Sequence, residues 1–174
     1  MSNPPDFPDQ PVDAGKTRRD ILSGDREALV AIDTVIATAK RTLLVFDIGL
    51  KVRGYNSPQR CEVLRKFLLS SRDNRIRIAL HEPRGLEADC PRLLNLMQQF
   101  QSGIRIHQTM GVACSAEDPF VIADDAAYWH KLHYQHPRSV LVMHDLQDTL
   151  ALTERFNEIW ESSAPAQVGG ATGL

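Results

Sequence analysis

The sequence predicts an α/β fold: a mixed, mostly parallel sheet flanked by helices, with an antiparallel hairpin region toward the C-terminus. Three observations carry that expectation. Helix-like and strand-like segments alternate as far as residue 108, the order that builds parallel sheets through crossover connections. One strand-like run, residues 42–48 (Thr-Leu-Leu-Val-Phe-Asp-Ile), is almost continuously apolar, as a strand covered on both faces tends to be. Beyond residue 119, three further strand-like runs leave no room for helices between them, so they should pair as hairpins.

Taken in order, the first helix starts near Ser23 or Asp25, carries Glu27 in its first turn, and places Leu29, Ile32, Ile36 and Ala39 on one face before ending near Lys40. Strand 42–48 follows, then a loop to Ser57 in which Gly54 and Asn56 are turn residues. Pro58 suits the first turn of a second helix with Cys61, Leu64, Phe67 and Leu68 inward. Residues 75–80 alternate as a strand, a third helix opens at Pro91 and buries Leu93, Leu94, Met97 and Phe100, and Gly103 stops it before a strand at 104–108. The hairpin strands are 120–123, 127–133 and 139–144, with turns at Asp124-Asp125 and at 135–138. A last helix over about 146–162 aligns Leu152, Phe156, Ile159 and Trp160, and Trp160 should anchor it to the sheet.

The expected organisation is a disordered proline-rich lead over residues 1–17, one domain over 18–163 and a disordered tail over 164–174. No apolar run approaches the length that spans a bilayer, and the first fifteen residues lack the basic start and apolar centre of a signal peptide. Cys61, Cys90 and Cys114 have neither metal nor redox spacing, so free thiols and a cytoplasmic location are expected. Residues 51–84 hold nine Lys/Arg against three acidic residues, whereas everything from Gly85 onward holds five against eleven, so the charge is polarised along the chain.

The series of helix, strand, helix, strand, helix, strand, hairpin region and closing helix resembles one half of a phospholipase D-like domain over about residues 25–163. The likeness rests on the Ala-Lys-Arg-Thr-Leu-Leu-Val-Phe passage from helix into strand and on the closing Glu-Arg-Phe-Asn-Glu-Ile-Trp-Glu-Ser with its Phe156 and Trp160. That resemblance implies a His-x-Lys-x-x-x-x-Asp signature, with the histidine as nucleophile, the lysine on phosphate, and two copies meeting in one active site. Laid on Glu-Asp-Pro-Phe-Val-Ile-Ala-Asp-Asp, the signature positions fall on Glu117, Pro119 and Asp124. A carboxylate at the first repels phosphate, and a proline at the second offers neither charge nor N–H. The expectation is therefore a single degenerate half with no catalytic residue, acting as a binding or assembly module for an anionic ligand or a protein partner. A half-sized member could also pair as a homodimer.

Among the residues themselves, the densest cluster of chemistry runs from Trp129 to Arg138 and includes His130, Lys131, His133 and Arg138. Their spacing along an extended strand puts His130 and His133 on opposite faces, which disfavours a metal site, whereas Lys131 and Arg138 can donate to an anion. Asp47 and His81 stand at the C-terminal ends of the first two parallel strands, where open sheets usually place their sites. No Gly-rich phosphate loop, nucleophile elbow or dinucleotide fingerprint occurs, and no cofactor or metal is expected. Asp47, His81, His130 and His133 as relocated acid, base and donor of a hydrolase or phosphoryl transferase form the alternative. Nucleic-acid binding through residues 51–84 is a third, less favoured reading.

Overall fold

The computed structural model of the protein describes residues 15–168; residues 1–14 of the lead expected over 1–17, and the end of the tail, 169–174, lie outside the described residues. The elements are β1 Arg18–Ser23, α1 Asp25–Thr38, β2 Thr42–Asp47, α2 Pro58–Ser70, β3 Arg75–Leu80, α3 Leu86–Asp89, α4 Pro91–Gln99, β4 Ile104–Thr109, β5 Phe120–Ala123, β6 Ala127–His130, β7 Arg138–Met143, α5 Leu146–Glu161 and β8 Ser163–Pro165. A 3-10 turn, Gly111–Ser115, joins β4 to β5.

Among the described residues, eight strands form one mixed sheet in the order β1-β7-β6-β5-β2-β3-β4-β8. The α/β class stands, but the balance of directions is corrected. Only β2–β3 and β3–β4 pair in parallel, and the other neighbours are antiparallel. Two edge strands account for much of the difference. Strand β1 (Arg-Arg-Asp-Ile-Leu-Ser) has only two large apolar residues and lies against β7, while β8 takes its last two residues, Ala164 and Pro165, from the stretch expected to be a disordered tail. Short polar edges of this kind bury too little to leave a strong periodic signal.

Alternation of side chains across the sheet builds two apolar layers. Leu43, Val45, Ile76, Ile78, Val121 and Trp129 pack with α1 to α4 on one face, and Leu44, Phe46, Phe120, Ile122, Tyr128 and Val142 pack with α5 on the other. Trp160 does hold α5 to the sheet, stacking on His107 of β4 at 3.7 Å between ring centroids. Asp124, in the β5–β6 turn, accepts backbone N–H bonds from Lys40, Arg41 and Thr42 at 2.7, 2.8 and 2.8 Å, which ties that turn to the start of β2.

Candidate functional site

Parallel β2 ends beside the start of antiparallel β5 and the end of β6, so the connections after β2 and β6 and the entry to α1 converge at one end of the sheet. There they enclose a cavity of about 500 Å³, lined by Asp25 at the first turn of α1, by Asp47, Lys51 and Arg53, and by Lys131 and Tyr134. That size suits a small ligand. The 14-residue helix α1 also directs its N-terminus, at Gly24 and Asp25, toward the cavity wall, adding partial positive charge.

Two charged groups form the floor. Asp47 accepts from Arg53 Nε at 2.7 Å and from the Ile48 N–H at 2.8 Å, and both side chains of the pair are only 6% exposed. Burial pushes the Asp47 carboxyl above its ordinary range despite the pull of Arg53. The Arg53 guanidinium lies over the Trp129 ring at 5.3 Å. Lys131, also buried, is different: its nearest carboxylate oxygen, on Asp25, is 3.8 Å away, and that carboxylate is 79% exposed. Burial, together with the neighbouring Arg53 charge, holds the Lys131 amine below its ordinary value. This is a desolvated cation with only a loose, solvent-facing counter-charge.

The residues singled out from the sequence divide into several groups. Asp47 and Lys131 meet in the cavity. His81 lies on the α5 side of the sheet and is fully engaged, with Nδ1 2.5 Å from Thr109 Oγ1 and Nε2 2.5 Å from the Ala116 carbonyl. His130 is 3.3 Å from Asp118, which also binds Arg155; burial would raise the Asp118 carboxyl, but hydrogen bonds from His130 and Arg155 prevail and hold it below its usual range. His133 pairs with Glu117 at 2.9 Å. His130 and Arg138 border a separate, largely apolar groove with Ile21 and Leu132. Pro119 is buried, and its carbonyl accepts the Lys131 N–H at 2.9 Å. Asp124 serves the turn described above.

Arg53, Lys51 and Asp25 were not singled out by the sequence. A basic residue six positions beyond a strand-end aspartate carries no recognised spacing, and only the fold of the Gly49–Ser57 loop turns Arg53 inward. The basic stretch 51–84 is also less of a surface than its composition suggests. Arg53 and Arg60 are buried, with Asp47 and Asp33 as partners, while Lys51 pairs with Asp89 and Arg65 with Glu62.

The family described as Domain of unknown function (DUF7931) matches residues 25–168. The chain belongs to that family. No curated protein matches the sequence. Among solved structures, the DUF7931 chain is similar to TrmBL2, an archaeal chromatin protein whose structure shows a novel mode of DNA binding, with a TM-score of 0.64 at 16% identity over 91% of this chain and 56% of that one. It therefore spans just over half of the chromatin protein's chain. NucT from Helicobacter pylori superposes with a TM-score of 0.60 at 10% identity, covering 87% of this chain and 100% of that one. Nuc from Salmonella typhimurium, a phospholipase D family member, gives 0.56 at 13% identity with the same two coverages. At these identities the likeness establishes the fold, which is phospholipase D-like. Among the described residues, no helix is long and apolar enough to cross a membrane.

Proposed function

We propose that this DUF7931 domain is a non-catalytic phospholipase D-like module that binds a small anion of the phosphate class in the cavity beside Lys131. The observation that carries the reading is the Lys131 ammonium itself, buried under the cavity with a 3.8 Å contact to an exposed carboxylate as its only ion pair among the described residues. A desolvated cation gains most from an anion that can displace such a loose partner. Its position adds a second support. Laid on the phospholipase D-like signature, Pro119 takes the place of the phosphate-binding lysine, and Lys131 is hydrogen-bonded to that residue from the adjacent strand. In this reading the cation has moved one strand over, and the nucleophile has not been kept beside it. Glu117 stands where the nucleophilic histidine would be.

The relocated-hydrolase reading has one specific observation in its favour, the His133–Glu117 pair at 2.9 Å. Against it, His133 does not line the cavity that holds Lys131, and His81 and His130 are committed to other partners. The test combines thermal shift and calorimetry with inorganic phosphate and phosphomonoesters, and turnover of a chromogenic phosphodiester. The module reading expects saturable stabilisation, lost in Lys131→Met and strengthened in Asp25→Ala, with no turnover. Turnover abolished by His133→Ala would replace it with the hydrolase, and absence of any phosphate-dependent stabilisation would reject both.

A further inference from the structure

On the opposite face of the sheet from Lys131, the parallel register sets Arg77 of β3 directly across from Arg105 of β4. Like charges facing each other across a ladder oppose sheet formation. The neighbouring β3 residue on that face, Arg75, adds a third guanidinium, and the three surround a shallow hollow of about 270 Å³ with Gly103 and the partly exposed Trp160 of α5. Arg77 lies 5.8 Å from the Trp160 ring centroid, Arg75 donates to Arg72 O at 2.6 Å and Asn74 O at 2.9 Å, and the charges of Arg77 and Arg105 both act on His107. Among the described residues, no carboxylate lies within 4.0 Å of any of the three guanidinium groups. Elsewhere in the chain Arg53, Arg60, Arg65 and Arg155 all have acidic partners, so the contrast is local.

We propose that this arginine face is a second binding site, for the phosphodiester backbone of a single-stranded nucleic acid. Guanidinium forks match phosphate oxygens, and the strands root these side chains about 6.7 Å apart along β3 and about 4.8 Å across to β4, a row that suits successive phosphates of one extended strand better than one small anion. A duplex is read by an element that enters a groove, whereas here the charges lie on a sheet face at the side of α5. Trp160 gives the rim an aromatic surface of the kind single strands use. The site is separate from the Lys131 cavity, which opens at the other end of the sheet and on its other face.

Fluorescence anisotropy with a labelled oligo-dT tests the assignment. Binding is expected to weaken with salt, with a slope of log affinity against log salt of about −2 for three phosphate contacts on a single strand. Arg77→Glu/Arg105→Glu should lower affinity at least tenfold and flatten that slope, whereas Lys66→Glu, on the exposed side of α2, should leave both unchanged. Arg105→Gln supplies the folding control: removing one of two facing cations should raise the melting temperature while weakening oligo-dT binding. Absent binding at low salt, equal loss in Lys66→Glu, undiminished affinity in the double reversal, or equally tight capture of polyglutamate or anionic vesicles would each overturn the proposal.

Discussion

Lys131 and the Asp47–Arg53 pair are both buried charges, yet physical chemistry assigns them opposite duties. The pair is satisfied within the protein, so truncating one member strands the other. Asp47→Ala is expected to destabilise the fold by about 3–5 kcal/mol, and the Asp47→Leu/Arg53→Met double variant by far less, as chemical denaturation would show. Lys131 has no such internal match. Its amine sits below the ordinary 10.5, so between that depressed value and 10.5 the native state binds fewer protons than the unfolded chain, and the free protein gains stability as pH rises through the window. An anion needs the ammonium form. Phosphate affinity should therefore fall as pH rises through the depressed value, measurable by calorimetry in the alkaline range, and the free Lys131→Met variant should lack the alkaline gain in stability.

At the level of elements, the β5–β6 turn depends on Asp124. Its backbone sits at φ 50°, in the left-handed region that Asn and Asp tolerate best, and its carboxylate satisfies three N–H groups at the entry to β2. Asp124→Ala should cost about 1.5–3 kcal/mol through the loss of hydrogen bonds to a charged acceptor, and Asp124→Asn clearly less, a ranking that thermal melts would check. This clamp was not legible in the sequence, where Asp124 read as a turn residue and a motif position; its partners are more than eighty residues away. Other elements were legible because their own residues determine them. The strand Arg75–Leu80 alternates and the strand Phe120–Ala123 is uniformly apolar, so both were placed at their observed limits. The four-residue helix Leu86–Asp89 and the two edge strands were missed, since each is defined by what it docks against rather than by an internal period. For the site, a strand-end carboxylate and a lysine in a cationic run were visible in sequence, but their meeting with Arg53 depends on the loop between β2 and α2.

Considered whole, the molecule is one sheet with a separate apolar layer on each side. Ile32 of α1 and Phe156 of α5 are both fully buried, and they belong to different layers. Ile32→Ala should cost about 2–5 kcal/mol and Phe156→Ala about 3–5 kcal/mol, and because the two lie in different layers their effects should sum within about 0.5 kcal/mol in the double variant. A marked excess over the sum, measured by denaturant titration, would mean that the sheet transmits packing from one layer to the other. The charge polarity along the sequence also takes a different form in three dimensions. Much of the basic run is paired with carboxylates, and two members of the remainder, Arg75 and Arg77, are joined by Arg105 from the acidic half of the chain.

The protein has two tryptophans, and the fold places them far apart in environment: Trp129 lies under Arg53, and Trp160 borders Arg77. Each proposed ligand therefore has its own intrinsic optical reporter. With one indole replaced by phenylalanine, the emission of the other would register occupancy of a single site, so the two binding events could be titrated independently without attaching a dye.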